Sequence, residues 1–98
     1  MDEPIISVII AVRDAERTIE ESLESVLGQT FPDFEVIIVD DGSVDRTGEI
    51  VRQIAARDRR IELLHQEKRG LATSLNRAIA VARGRYVARQ DGDDVSMP

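Results

Sequence analysis

Three aspartates, Asp91, Asp93 and Asp94, occupy four consecutive positions of "QDGDDVSMP", close to the end of a 98-residue chain. Carboxylates packed this densely repel one another, and a divalent cation relieves the repulsion. Hard oxygen ligands of this kind hold Mg2+ or Mn2+, which commonly keep one or two carboxylates and complete their shells with substrate phosphates. An acidic loop loaded with such an ion becomes a receptor for a diphosphate. Gly92, between the acids, lets the backbone bend and approach a ligand closely. Two further groups could act beside it: Asp40 and Asp41 in "VDDGS", and Arg13 and Asp14 in "AVRDAE". The phosphate-cradling patterns GxGxxG and GxxxxGK(S/T) are both absent, so dinucleotide and P-loop readings lose their main support.

Separated by dozens of residues, these groups need a fold that gathers them. Ile5–Val12, "IISVIIAV", is a nearly continuous β-branched run, the pattern of a strand buried on both faces of a parallel sheet. In "AERTIEESLESVLGQ" the apolar residues Ile19, Leu23, Val26 and Leu27 form one stripe of a 3.6-residue period, with Asp14 as N-cap and Gly28 at the carboxyl end. A second strand spans Glu35–Asp40. A second helix follows over about Arg46–Arg57, with Asp45 as cap and Ile50, Val51, Ile54 and Ala55 inward. "RIELLH" predicts a short third strand. A third helix covers about Leu71–Arg83, ended by Gly84, with Leu71, Leu75, Ala78, Ile79 and Ala82 inward, and Tyr86–Arg89 is the fourth strand. Strands alternating with helices predict an α/β fold with a parallel sheet and right-handed crossovers. Ligands of such sheets bind beyond the carboxyl ends of the strands. Arg13 and Asp14, then Asp40, Asp41, Gly42 and Ser43, then His65 and Gln66, then the Asp91–Asp94 cluster all fall on that edge.

Composition sets the outer bounds. The chain suits one small domain, residues 1–98, and its 42% hydrophobic and 33% charged residues describe a packed core under a charged surface. A net charge of -6 argues against a nucleic-acid backbone or an anionic membrane as the main partner. No cysteine is present, so there is no disulfide and no thiolate metal site. The longest apolar run, Val8–Val12, is far too short to span a bilayer.

Each acid also has a local use: Asp14 and Asp45 as helix caps, "DDGS" as a turn, "DGDD" as a solvated loop. Independent capping does not explain why the acids gather on one edge. Other readings of that edge are metal-dependent nucleotidyl transfer, a signalling receiver domain and a non-catalytic nucleotide-binding module. Nucleotidyl transfer usually needs a basic or glycine-rich loop after the first strand, where "AVRDAERT" offers only Arg13 and Arg17. A receiver domain wants its acid pair after the first strand, and here the pair follows the second.

The stretches "SVIIAVRDAERTIEESLESVLGQTFPDFEVIIVDDGSVDRT" and "GLATSLNRAIAVARGRYVARQDGDD" resemble the amino-terminal half of the family 2 glycosyltransferases of GT-A fold, over essentially the whole chain. The resemblance implies a three-layer, Rossmann-like sheet of strand order 3-2-1-4, truncated after the fourth strand. It implies a nucleotide-sugar site with Ala11, Arg13 and Asp14 lining the nucleotide pocket. Asp41 would accept a hydrogen bond from the base, typically the N3–H of uracil. Asp91 and Asp93 match the family's DxD pair, with Asp93 the direct ligand of Mn2+ or Mg2+ and Asp91 meeting the ribose or the metal's water shell. The implied reaction moves a sugar from a nucleotide diphosphate donor, UDP-sugar favoured, to a carbohydrate or lipid-linked acceptor. The acceptor site and catalytic base are expected beyond Pro98, which makes this chain alone an inactive donor half. Family analogy favours envelope or capsule polysaccharide and a cytoplasmic protein, membrane-associated at full length. The chain departs from the family at Ala11, where proline is frequent, and at Arg13, where an aromatic is frequent. His65 is expected to end an edge strand rather than serve as a base, and Arg69 lies in a loop the family uses near the phosphates.

Overall fold

The computed structural model describes residues 4–29 and 33–91. Strands and helices alternate as β1 (Ile6–Val12), α1 (Ile19–Leu27), β2 (Phe34–Asp41), α2 (Thr47–Arg57), β3 (Ile61–Gln66), α3 (Leu71–Val81) and β4 (Tyr86–Asp91). Every strand pairing is parallel and the sheet order is β3-β2-β1-β4. The order of the chain thus reverses between β1 and β4, as the resemblance implied.

Three layers result. Val8, Ile10 and Val12 of β1 and Val36 and Ile38 of β2 point to one face, where Ile19, Leu23 and Val26 of α1 and Val51 and Ile54 of α2 cover them. Ile9, Ile37 and Val39 point to the other face, against Ala78 of α3, with Leu64, Leu75 and Ala82 at its margin. Strand β2 is buried along its whole length, with a strand on either side and helices on both faces. Full burial of side chains such as Ile10, Ile37 and Ile38 is worth roughly 1.5–3 kcal/mol each.

One buried acid interrupts this core. The Glu35 carboxylate accepts the Ser7 hydroxyl at 2.6 Å, the Arg83 backbone N–H at 2.7 Å and the Arg83 guanidinium at 3.0 Å. Burial pushes the Glu35 pKa up, but these donors outweigh it and hold the carboxyl below its usual range. Gly84 N–H donates to Ser7 Oγ at 2.8 Å, so the network stitches β1 and β2 to the turn that launches β4.

Two helix boundaries and two side-chain placements differ from the sequence expectation. Helix α1 begins at Ile19, and its first position is flanked by Thr18 rather than capped by Asp14. The N–H groups of Asp14, Ala15 and Glu16 donate instead to Ser43 Oγ, Thr47 Oγ1 and Asp45 Oδ2 of the β2–α2 segment. Helix α3 stops at Val81 with Ala82 as its cap, short of Gly84. Leu71 and Ile79, expected inward, are half exposed, with no element covering them among the described residues. Asp45 does serve the start of α2: its Oδ1 accepts Thr47 N–H at 2.9 Å and the Thr47 hydroxyl at 2.5 Å.

Candidate functional site

Strand register brings the predicted residues to one edge. Val12 lies beside Asp40, Asp41 beside Gln66, and Ala11 beside the backbone of Asp91 across the β1–β4 pairing. A cleft of about 250 Å³ opens there, lined by Ala11, Arg13, Asp41, Lys68, Gly70 and Ser74. Three of the residues assigned from sequence, Ala11, Arg13 and Asp41, therefore share one cavity. The amino terminus of α3 ends beside the same cavity, and the free N–H groups of a helix start favour an anion.

Asp41 is the pivot of the cleft. Its Oδ1 accepts Gln66 Nε2 at 2.8 Å and the Arg69 N–H at 2.7 Å, and its Oδ2 accepts the Gly70 N–H at 3.0 Å. The Gln66 bond foremost, with the two amides, holds the Asp41 carboxyl below its usual range against the effect of burial. A carboxylate offers about four acceptor positions, so these three donors leave roughly one, on Oδ2. Ser74 closes the arrangement, taking Gln66 Nε2 at 2.9 Å and donating to the Gly70 carbonyl at 2.9 Å. Gly42 has φ 74, and a Cβ there would meet the Lys68 backbone nitrogen at 2.8 Å. Both conformation and close approach thus require glycine where the β3–α3 loop crosses the "DDGS" turn.

Asp14 has φ 50, a left-handed conformation that aspartate tolerates better than most residues. Its carboxylate accepts the Val44 N–H at 2.8 Å, which latches the β1–α1 loop to the turn after β2. Arg13 is exposed, and its guanidinium stands 3.9 Å from Asp14. Asp40 is buried, and its Oδ1 accepts the Ser43 N–H at 3.0 Å. Its Oδ2 faces His65 Nδ1 at 3.4 Å. The Arg52 guanidinium lies 3.0 Å from His65 Nε2 on the other side of the ring. His65 sits near the end of the edge strand β3, between Arg52 and Asp40.

Among the described residues no group of three or more His, Asp or Glu side chains converges as a metal site. Gly92, Asp93 and Asp94 lie outside the described residues, and of the DxD pair only the Asp91 backbone is placed, at the edge beside Ala11. An all-oxygen donor set of two aspartates suits Mg2+ or Mn2+. Two larger hollows lie elsewhere. One of about 550 Å³ opens at the opposite edge of the sheet, but Asp58 and Glu35 already engage its Arg60 and Arg83. Another of about 600 Å³ lies beside β3, and its Arg77 is bonded to the His65 carbonyl.

Lys68, Gly70 and Ser74 join the cleft without having been singled out as site residues. The signal available for them was indirect: a lysine and a glycine in the loop after the third strand, and a polar residue on the third helix's inner face.

The family described as "Glycosyl transferase family 2" matches this chain over residues 7–98. The uncharacterized glycosyltransferase EpsJ of Bacillus subtilis is 45% identical over 91 residues, covering 93% of this chain and 26% of the relative. Glycosyltransferase GlyG of Streptococcus pneumoniae is 40% identical over 92 residues, covering 93% of this chain and 31% of the relative. Among solved structures, the mannosyltransferase PcManGT of Pyrobaculum calidifontis, in complex with GDP-Man and Mn2+, superposes with a TM-score of 0.86 at 33% identity, covering 95% of this chain and 28% of that one. TarS (residues 1–349) of S. aureus with UDP-GlcNAc gives 0.82 at 34% identity, covering 91% of this chain and 26% of that one. The chain spans about a third or less of the length of these proteins. Fold, edge acids and these likenesses agree, and the chain belongs to glycosyl transferase family 2.

Proposed function

We propose that this chain binds the nucleotide diphosphate of a sugar donor at the carboxyl edge of its sheet. It forms the donor-binding part of a glycosyltransferase that moves the sugar to an acceptor hydroxyl. The observation that carries this reading is the cleft in which Ala11, Arg13 and Asp41 meet beside the start of α3. UDP-sugar is the favoured donor: the remaining acceptor position of Asp41 suits the N3–H of uracil. Small Ala11 leaves room for the nucleoside. Exposed Arg13 stacks on a base through its guanidinium plane or pairs with phosphate. Asp14 does not line the cleft itself; by accepting the Val44 N–H it holds the first loop against the second and so positions Arg13 beside the pocket. Asp91 and Asp93 are the residues to hold Mn2+ or Mg2+. When bound, the ion stabilises the charge that develops on the departing diphosphate.

Carbohydrate or lipid-linked hydroxyls are the acceptors this reading expects, and no residue of this chain is assigned as the base that deprotonates them. In the longer protein we place the domain at the cytoplasmic side of a membrane. Isothermal titration with UDP, GDP and dTDP, each with and without Mn2+, tests the proposal. UDP should bind most tightly, and only with the metal. Failure of all three nucleotides in Mn2+ would overturn it.

A further inference from the structure

We propose that Arg77, which lies outside the nucleotide cleft, is a positioning residue for Asp41 and acts on it through the side-chain amide of Gln66. The proposal rests on the nucleotide reading above, in which Asp41 meets the base. Gln66 ends β3, and strand register sets it beside Asp41 at the end of β2. Both hydrogens of its Nε2 are used, one on Asp41 Oδ1 at 2.8 Å and one on Ser74 Oγ at 2.9 Å. Ser74 is fully buried and donates in turn to the Gly70 carbonyl at 2.9 Å. The Gly70 N–H returns to Asp41 Oδ2 at 3.0 Å. Asp41, Gln66, Ser74 and Gly70 thus form a closed ring in which every donor has its acceptor.

The ring has one input from outside. Gln66 Oε1 accepts Arg77 Nη1 at 3.4 Å, and the same Nη1 donates to the His65 carbonyl at 2.5 Å, which fastens the guanidinium to β3. Arg77 stands in the wall of the hollow beside β3, on the far side of Gln66 from the cleft. A primary amide can turn over and exchange its oxygen with its NH2. Turned over, Gln66 would set its oxygen against the Asp41 carboxylate, acceptor against acceptor, and its NH2 against the guanidinium, donor against donor. Arg77 and Asp41 therefore sort the two ends of the amide from opposite sides.

What this sorting controls is the acceptor that Asp41 presents. Gln66 and the Arg69 N–H fill Oδ1, and the Gly70 N–H takes one position of Oδ2, so the position left for a ligand lies on Oδ2. Without the Gln66 donor a position on Oδ1 opens and the carboxylate is free to turn, and the acceptor offered to a base is no longer fixed. A purely mechanical Arg77 would fasten α3 to β3 through the His65 carbonyl alone and would have no dependence on Gln66.

Two measurements test the relay. In the nucleotide-free protein, NMR reads the exchange of the Gln66 side-chain NH2 protons with water. Exchange should be slow in wild type, rise several-fold in Arg77→Met and stay slow in Arg77→Lys, which keeps a donor. Titration with UDP in Mn2+ then forms a double-mutant cycle. Arg77→Met should weaken UDP about fivefold in the wild-type background, the size expected of one hydrogen bond, and add nothing in a Gln66→Leu background. Arg77 is exposed, so Arg77→Met is expected to fold, and thermal melts check each variant. Unchanged NH2 exchange in Arg77→Met would overturn the relay whatever the nucleotide does. Equal losses of UDP affinity in the two backgrounds would overturn it in favour of simple fastening of α3 to β3. Absence of UDP binding by wild type would overturn the nucleotide reading and Arg77's positioning role with it, and the exchange rates would still show whether Arg77 orders the amide.

Discussion

The carboxylate of Asp41 accepts the backbone N–H of Arg69 at 2.7 Å, across 28 positions of sequence. The residue expected to meet the base is therefore also the anchor of the β3–α3 loop, and recognition and loop position share one side chain. Asp41→Asn keeps one acceptor oxygen and turns an NH2 toward a backbone donor. It should weaken UDP binding by about 1–3 kcal/mol and lower thermal stability as well, since a partner is left poorly satisfied. Asp40→Asn touches the Ser43 amide and His65, farther from the cleft, so calorimetry should show a smaller loss of nucleotide affinity. A larger loss from Asp40→Asn would mean that the roles of the pair are reversed.

Gly84 carries a steric demand that its small size hides. A Cβ at this position would lie 2.6 Å from the Ser7 backbone nitrogen and 2.7 Å from its hydroxyl. Gly84→Ala must push the α3–β4 turn off β1 and disturb the Ser7–Glu35 network. Overpacking typically costs about 1–3 kcal/mol, and a shift in the urea midpoint of that order is the expected reading. A midpoint equal to wild type would show that the turn relaxes freely.

Much of the fold was legible in the sequence, because β-branched runs bounded by turns and apolar stripes at helical spacing respond to burial, the dominant force. The misread positions have a common cause in tertiary context. Asp14 looked like a cap for α1, but the donors of that loop bond to Ser43, Asp45 and Thr47, and the helix starts a turn later. Periodicity treats a helix as covered along its whole stripe, so Leu71 and Ile79 read as core although no element covers them among the described residues. The edge acids were readable one by one. The meeting of Asp41 with Gln66, Gly70 and Ser74 was not, since it depends on β2–β3 register and on the path of a loop.

Acid should unfold this protein through carboxylates whose folded pKa values are lowered. Glu35, Asp41 and Asp58 are of this kind, held down by Ser7 and Arg83, by Gln66 with two amides, and by Arg60 respectively. A lowered folded pKa contributes stability above the unfolded value, which lies near about 4, and that stability is lost as pH falls through the folded value. Urea midpoints should be nearly flat from about pH 7 to 5 and fall below about pH 4. Glu35→Gln should lower the midpoint at neutral pH and shallow the acid slope. An unchanged slope would place the acid sensitivity elsewhere.

For the metal, the decisive residue is Asp93. If it ligates the ion, Asp93→Ala abolishes Mn2+-dependent UDP binding and leaves the melting temperature of the metal-free protein unchanged. Equal UDP affinity of wild type and variant in Mn2+, measured by the same titration, would remove Asp93 from the ligand set.

The β4 margin leads to the last prediction. Among the described residues β4 pairs only with β1, and no strand lies on its outer side. Tyr86 is 66% exposed and Val87 48%. An edge that offers backbone donors and acceptors beside apolar side chains is a template for another chain, although the cations Arg85 and Arg89 blunt simple pairing. The 98-residue chain should therefore self-associate as its concentration rises, and it should show no sugar transfer by itself. Size-exclusion chromatography with light scattering across a concentration series should show the mass growing beyond one chain, and Tyr86→Lys should suppress that growth. A strict monomer at the highest concentrations would rule out association through this edge. Measurable turnover of a UDP-sugar would place the catalytic base among these residues.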